Sequence, residues 1–214
     1  MGKALRMIQG CAVAVAAGLL LAMPVAAQSV LDEWATVKAP APPAIKPVTL
    51  DAKKSVYMVL DFRVEACTME TRPRCARSLP HVEKLLKDAR AKGMMVVHTL
   101  TTNSKAESIP PALKPIAGEQ VIPVPMDKLS YPGLAESLKA KGIDTVLISG
   151  TSGNNAVMNT TVGAVLRGFK AIVPVDTMPS EGAYQEQFAV WQIGNGSTLR
   201  EEATLTRSDM VTIK

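Results

Sequence analysis

The stretch ISGTSGNNAVMNTTVGAVLRGF, residues 148–169, decides the fold. It begins as the end of an apolar strand, passes through a tight turn rich in Gly, Ser and Asn, and continues as a helix. In α/β enzymes a turn of this kind is where a nucleophile usually lies. Here Ala156 follows the turn and no cysteine occurs in it. The polar residues of the turn are Thr151, Ser152, Asn154 and Asn155.

Strands and helices alternate on both sides of this stretch. Apolar runs predict strands at 55–62, 94–100, 119–124, 144–150 and 169–176, and a last edge strand within 203–213. Helical spacing predicts helices at 79–93, with Ser78 as its cap, and at 131–142 and 181–193. The alternation predicts a three-layer α/β/α fold with a mostly parallel central sheet.

In such sheets, ligands bind beyond the carboxyl ends of the strands. This rule selects Asp61, the segments 98–102 and 124–128, and the turn after Gly150. The segments come from separate parts of the chain, and we expect them to meet at one edge of the sheet.

The first residues have the pattern of an export signal. Lys3 and Arg6 precede the apolar run CAVAVAAGLLLAM, residues 11–23, and small residues follow up to Ala27. A membrane anchor is the alternative, but the run is shorter than the roughly 20 residues of a spanning helix. We therefore predict a signal peptide over residues 1–27 and a periplasmic or secreted protein that has no membrane contact once the signal is removed.

The rest of the chain divides into an arm and one domain. Residues 28–50 are rich in Pro and Ala and predict an extended arm or linker, and residues 51–214 have the size of a single domain. The chain has a net charge of +5 and only 4% aromatic residues, with no Lys/Arg run. This composition gives no indication of a nucleic-acid partner.

Two cysteines lie in the polar loop VEACTMETRPRCARS, at Cys67 and Cys75. An even pair in an exported protein favours a disulfide. A metal pair with His81 and a reactive thiol are the alternatives, but the spacing matches no metal motif. We expect no metal and no cofactor.

Four sequence blocks, taken in their order along the chain, match the pattern of a known protein family. They are MVLDF ending near Asp61, GEQVI at 118–122, KGIDTV at 141–146, and the block from Gly150 to Phe169 that closes in RGF. With these blocks the chain resembles the isochorismatase-like cysteine hydrolases, which include nicotinamidases, carbamoylsarcosine amidases and isochorismatases. The resemblance implies the isochorismatase-like hydrolase fold and the hydrolysis of a C–N or vinyl-ether bond.

The resemblance also implies a catalytic triad, which this chain keeps only in part. In the family a cysteine at the turn attacks the substrate, an Asp takes the thiol proton, and a Lys holds that Asp ionised. The Asp corresponds to Asp61, the cysteine position falls on Ala156, and the Lys position falls on Val124. Lys128 and Lys114 are the lysines that could replace it, although a loop lysine is more often solvated.

The family's oxyanion hole is built from backbone N–H groups at the turn, beside a cis peptide bond that here would be Thr151–Ser152. We expect a pocket near Asp61 that also includes Asn155 and His98, although a lone strand histidine is more often a buried, hydrogen-bonded residue.

Three functions are consistent with these residues. The first is an exported protein that has lost the cysteine-hydrolase activity and keeps a small-molecule pocket around Asp61. The second is an active, thiol-independent hydrolase of the isochorismatase type, with Asp61 as general acid. The third, a hydrolase with Cys67 as a relocated nucleophile, conflicts with the expected disulfide. Family members are often dimers or tetramers, so the resemblance also implies a homo-oligomer.

Overall fold

The computed structural model describes residues 29–214, and the predicted signal peptide lies outside the described residues. The described residues fall into two units, residues 29–39 and residues 40–214. In the smaller unit the short helix α1, Val30–Glu33, is capped by Ser29, whose backbone N–H donates to Asp32 Oδ2 at 2.8 Å. No helix within residues 29–214 is long and apolar enough to cross a membrane.

The larger unit alternates strands and helices along its length. Its strands are β1 Val48–Leu50, β2 Ser55–Leu60, β3 Met95–Leu100, β4 Gln120–Pro123, β5 Thr145–Gly150, β6 Lys170–Pro174, β7 Ala203–Thr206 and β8 Val211–Ile213. Its helices are α2 Pro73–Ala91, α3 Leu134–Ala140, α4 Met158–Leu166, α5 Ala183–Asn195 and α6 Leu199–Glu202.

Six of the strands form the central sheet, in the order β4-β3-β2-β5-β6-β7, and every pairing in it is parallel. Because all strands point the same way, their carboxyl ends meet at one edge, here called the carboxyl edge. The end of β2 lies beside the end of β5, with Leu60 in register with Gly150. The predicted parallel sheet is confirmed, and it brings Asp61 beside the turn after Gly150.

The apolar runs of the strands are buried on both faces of the sheet. In β2, Val56, Met58 and Leu60 belong to one core with α3, α4 and α5, whereas Tyr57 and Val59 belong to a second core with α2. This alternation is the period of two of a strand, and a strand buried on both faces needs apolar residues at every position. The three-layer α/β/α architecture is therefore confirmed.

Helix α2 begins earlier than the sequence pattern predicted. It starts at Pro73 instead of Leu79, and the Ser78 hydroxyl donates to the carbonyl oxygen of Cys75 at 2.8 Å inside the helix. Proline is suited to a first helical position because that position needs no N–H donor. Ser78 is thus not the cap, and Cys75 lies in the first turn of α2 instead of a loop.

Two short strands close the ends of the larger unit. Val48–Leu50, which the sequence placed in the arm, forms β1 and pairs in parallel with β8. The C-terminal stretch predicted as one edge strand forms two, because β7 joins the central sheet beside β6 while β8 pairs with β1. Residues 40–47 have no regular secondary structure.

Candidate functional site

Asp61 follows β2 directly at the carboxyl edge. Its φ is +57°, in the left-handed region that Asp adopts more readily than most residues. The backbone N–H of Asp61 donates to the carbonyl oxygen of Thr99 at 3.0 Å, and the Thr99 hydroxyl donates to Asp61 Oδ1 at 3.0 Å. These two bonds to β3 fix a carboxylate that is only 7% exposed.

The second oxygen of Asp61 is held by Lys128. Lys128 Nζ lies 2.7 Å from Asp61 Oδ2 and donates to the carbonyl oxygen of Val124 at 2.6 Å. The lysine is 1% exposed, so it is not the solvated loop residue that its position suggested. Val124, to which the family's lysine position was assigned, contributes only its carbonyl oxygen. Lys114 is exposed and is not brought to Asp61.

A short turn folds Lys128 back towards the sheet. Lys128–Ser130 form a 3₁₀ turn capped by Asp127, whose Oδ1 accepts from the N–H of Leu129 at 3.0 Å. Through this turn, Lys128 reaches Asp61 although it lies four residues beyond Val124, where the family's lysine was expected. The capping Asp127 is the signal in the sequence that could have indicated this turn.

Helix α4 holds the turn from the other side. Arg167 Nη1 lies 2.8 Å from Asp127 Oδ2, and Thr160 Oγ1 accepts from the N–H of Lys128 at 3.1 Å. Gly163 lies between them on the helix, and a Cβ there would collide with the Asp127 carboxylate. The helix that follows the turn after Gly150 therefore also positions the lysine.

The turn itself lies next to Asp61 along the carboxyl edge. The Thr151–Ser152 peptide bond is cis, as the resemblance implies, and the N–H of Thr151 donates to the carbonyl oxygen of Leu60 at 3.0 Å. Gly153 packs so closely against the carbonyl oxygen of Met178 that no Cβ fits. The hydroxyl oxygen of Thr151 is buried and has no hydrogen-bond partner among the described residues.

Ala156 lies in the wide helical turn Gly153–Val157 that leads into α4, and it is 3% exposed. Its side chain is a methyl group, which can neither attack a carbonyl carbon nor donate a proton. Among residues 29–214, the side-chain partners of the Asp61 carboxylate are Thr99 and Lys128. The acid and the lysine are therefore together, while the family's nucleophile position carries no reactive atom.

A cavity of about 440 Å³ opens beside the turn. Two predicted pocket residues, Ser152 and Asn155, line it. Asn154 of the same turn lines it too, whereas sequence reasoning missed Arg72, Glu181 and Gln185, which come from the loop before α2 and from the region of α5. The lining residues are Arg72, Ser152, Asn154, Asn155, Glu181 and Gln185.

His98, which the sequence placed in the pocket, lies elsewhere. It is on the face of β3 opposite to Thr99, and its Nε2 lies 3.0 Å from Glu119 Oε2. Arg90 from α2 holds both carboxylate oxygens of Glu119 at 2.8 Å. Burial lowers the pKa of His98 below its ordinary value, although the Glu119 carboxylate opposes this effect. The arrangement is a buried polar cluster between the sheet and α2.

The two cysteines form the predicted disulfide, Cys67–Cys75. Cys67 therefore presents no free thiol, and the idea of a relocated nucleophile loses its reactive group. His81 is not paired with the cysteines, since its Nδ1 lies 3.6 Å from Asp176 Oδ2.

Comparisons with known proteins agree with this fold. The family model described as "Isochorismatase domain" matches residues 55–203. A comparison with curated protein sequences finds no match. Among solved structures, an isochorismatase family protein from Desulfovibrio vulgaris is similar with a TM-score of 0.65 and 18% identity, over 73% of this chain and 95% of that one.

Two enzymes with named activities are similar in fold. N-carbamoylsarcosine amidase from Thermoplasma acidophilum has a TM-score of 0.60 and 20% identity, over 73% of this chain and 97% of that one. The nicotinamidase SaPncA from Staphylococcus aureus has a TM-score of 0.63 and 16% identity, over 72% of this chain and 99% of that one. With the family model covering more than half of its length, the chain belongs to the isochorismatase family.

Proposed function

We propose that this protein binds a small molecule at the carboxyl edge and does not carry out the cysteine chemistry of its family. The observation that carries the proposal is Ala156, a buried methyl group at the nucleophile position, in a site that otherwise keeps Asp61, Lys128 and the cis turn. A covalent hydrolase needs a nucleophile next to its base. Among residues 29–214, the hydroxyl bonded to Asp61 is that of Thr99, which is 1% exposed and does not line the cavity, and no thiol is bonded to Asp61.

The hydroxyls of the turn do not replace the missing thiol. The Thr151 hydroxyl is buried and is not hydrogen-bonded to Asp61, and Ser152 lines the cavity without a basic partner among the described residues. A hydroxyl is a weaker nucleophile than a thiolate and needs a general base within hydrogen-bond distance. Binding without covalent catalysis is therefore the function that the turn supports best.

The cavity has the dimensions and chemistry of a small-molecule site. Its volume of about 440 Å³ lies in the range of ligand pockets, which is roughly 300–1,000 Å³. Amide and hydroxyl groups of Ser152, Asn154 and Gln185 offer donors and acceptors along its wall. Polar groups of this kind fix the orientation of a small polar ligand.

Thiol-independent hydrolysis with Asp61 as general acid is the second candidate, and the Asp61–Lys128 pair favours it. In the sequence the family's lysine position falls on Val124, but in the folded chain Lys128 makes the contact with Asp61. However, both carboxylate oxygens of Asp61 are already engaged, Oδ1 by the Thr99 hydroxyl and Oδ2 by the Lys128 ammonium group, and Asp61 does not line the cavity. The binding function therefore remains the first proposal.

Turnover by the purified protein separates the two candidates. The panel contains nicotinamide and N-carbamoylsarcosine, chosen after the similar enzymes, together with ureides and isochorismate. We expect no turnover, and we expect some panel members to raise the melting temperature. Turnover that is lost in Asp61→Asn, with an unchanged melting temperature, would instead establish the thiol-independent hydrolase.

We also propose that the protein is exported. The proposal rests on the signal-peptide pattern of residues 1–27 and is consistent with the Cys67–Cys75 disulfide, since disulfides persist in oxidising compartments. Expression in a Gram-negative host, followed by fractionation and N-terminal sequencing, tests it. Recovery of an uncleaved chain from the cytoplasm would contradict it.

A further inference from the structure

The guanidinium of Arg72 has an unusual environment. Arg72 directly precedes α2, and its Nε and Nη2 atoms are buried without a hydrogen-bond partner within residues 29–214. Buried polar groups in native proteins are nearly always hydrogen-bonded, and a buried donor without a partner is costly. A charged group that carries this cost indicates a function beyond the folded structure itself.

Two other arginines show what this edge of a guanidinium binds. Arg74 holds Glu186 through its Nε and Nη2, one nitrogen to each carboxylate oxygen. Arg90 holds Glu119 through the same two nitrogens at 2.8 Å. The Nε–Nη2 edge matches the two oxygens of a carboxylate, which gives a bidentate, charge-assisted contact. In Arg72 this edge is buried and meets no carboxylate of the described chain.

Arg72 also lines the cavity beside the turn. Ser152 lines the same cavity and belongs to the cis peptide bond, so a ligand held by Arg72 lies against the turn of the candidate site. Asn154 Oδ1 accepts from the Ser180 hydroxyl at 3.2 Å, which leaves the amide N–H groups of Asn154 as donors. An anion in this cavity can therefore accept hydrogen bonds from Arg72 and from Asn154.

The loop that carries Arg72 is fixed in advance. The Cys67–Cys75 disulfide spans it, the N–H of Arg72 donates to the carbonyl oxygen of Thr68 at 3.0 Å, and the Thr71 hydroxyl donates to that of Ala66 at 2.8 Å. The backbone of Arg72 is therefore held in place before a ligand arrives, and it loses little further freedom on binding. Preorganisation of this kind is typical of a binding residue.

We propose that the cavity binds a small ligand with a single carboxylate group, and that Arg72 is the residue that recognises this carboxylate. The inference deepens the proposed small-molecule function and rests on it. Glu181 lines the same cavity and has no ion-pair partner among the described residues, so its charge disfavours a doubly charged anion such as a phosphate. The bidentate edge and this single opposing charge together favour a monocarboxylate.

The test compares matched pairs of probes in which a carboxylate replaces a primary amide on the same skeleton. The pairs are benzoate and benzamide, malonamate and malonamide, and N-carbamoylglycine and its amide. Binding is measured by thermal shift and by NMR titration, in which the Nε–H resonance of Arg72 is assigned from its loss in Arg72→Lys. We expect the carboxylate of at least one pair to bind about tenfold more tightly than its amide and to shift that resonance.

The variants separate recognition from general effects of charge. Arg72→Gln should weaken carboxylate binding far more than amide binding and so remove the carboxylate preference, whereas Arg72→Lys should keep only part of the preference, because lysine lacks the bidentate edge. The matched control is Arg77→Gln, because Arg77 is an exposed arginine in the neighbouring helix α2 that does not line this cavity, and this variant should keep the preference. Circular dichroism and the melting temperature verify that each variant folds.

The outcomes distinguish this inference from the proposed function. A carboxylate preference that survives in Arg72→Gln overturns the role of Arg72. Amides that bind as tightly as carboxylates overturn the carboxylate site but leave the small-molecule pocket intact. If no probe of either kind binds at millimolar concentration, both the inference and the proposed function are wrong.

Discussion

Lys128 folds back from the loop after β4 so that its ammonium nitrogen lies 2.7 Å from the carboxylate of Asp61, with both side chains buried. Each charge offsets the cost of burying the other, because neither side chain is in contact with bulk water. Removal of one partner of a buried ion pair leaves an uncompensated charge, which typically costs about 3–5 kcal/mol.

Lys128→Met should therefore lower the free energy of unfolding by about 3–5 kcal/mol. The double variant Asp61→Asn/Lys128→Met should lose clearly less than the sum of the two single variants, because neither charge is then buried alone. Denaturant unfolding of the four proteins in a double-mutant cycle measures the coupling.

Lys84→Met is the matched control for this cycle. Lys84 Nζ lies at the same 2.7 Å from Asp88 Oδ2, but the two side chains are 63% and 45% exposed. An exposed pair of this kind contributes less than about 1 kcal/mol. Equal losses for Lys128→Met and Lys84→Met would contradict the structural importance of the buried pair.

Gly163→Ala should destabilise the protein by about 1–3 kcal/mol, because the new methyl group meets the Asp127 carboxylate that caps the Lys128 turn. Helix propensity alone predicts the opposite sign, a gain of up to about 1 kcal/mol. In an Asp127→Ala background the collision is removed, so the same substitution should become neutral or stabilising. Thermal unfolding of these variants tests the contact, and destabilisation of the same size in both backgrounds would exclude it.

Stability should decrease as the pH falls below about 6.5, because burial lowers the pKa of His98 from the ordinary value of 6.5. Between that value and the lower pKa of the folded state, the unfolded chain binds a proton that the folded protein does not. The free energy of unfolding then falls with decreasing pH, by at most about 1.4 kcal/mol per pH unit for one group.

Urea unfolding measures the free energy of unfolding at several values between about pH 7.5 and pH 5, and each value is compared with the one at roughly neutral pH. His98→Gln should flatten the slope in that window while still offering a hydrogen bond to Glu119. An unchanged slope in His98→Gln would assign the pH dependence to other groups.

Ala156→Cys should introduce slow amide hydrolysis, because it places a thiol in the turn that contains the cis bond and lies beside Asp61 and Lys128. Ala156→Ser is the matched control and should remain inactive, since a hydroxyl is a weaker nucleophile. Release of ammonia from nicotinamide by each variant is the measurement. Absence of activity in a folded Ala156→Cys protein would mean that Asp61 is not placed to activate that position.

The fold could be predicted from sequence because its signals are local and repeated. Apolar runs such as residues 55–60 and 145–150 specify buried strands, and the helical spacing after each one specifies the crossovers. The boundary of α2 was wrong because Ser78 looks like a cap, whereas Pro73 supplies the actual start.

The site could be predicted only in part, because its parts meet through tertiary structure. Asp61 and the turn follow directly from strand ends. The lysine was assigned to Val124 because the 3₁₀ turn that returns Lys128 to the sheet has a weak sequence signal. His98 is the buried, hydrogen-bonded residue that a lone strand histidine more often is, and it lies away from Asp61 because one step along β3 exchanges the faces, so that Thr99 contacts Asp61. Arg72 was missed, since the lack of a partner is visible only in three dimensions.

The Cys67–Cys75 disulfide acts on the shape of the cavity as well as on stability. The bridge closes a short loop and lowers the conformational entropy of the unfolded chain. On the chain-entropy relation this stabilises the folded protein by about 2.5 kcal/mol. The same bridge ties together both ends of the segment that forms one side of the cavity. The proposed ligand site would thus be coupled to the oxidation state of its surroundings: in a reducing medium this side would lose its covalent tie while the sheet and its two cores stayed folded, so ligand affinity would fall together with the melting temperature.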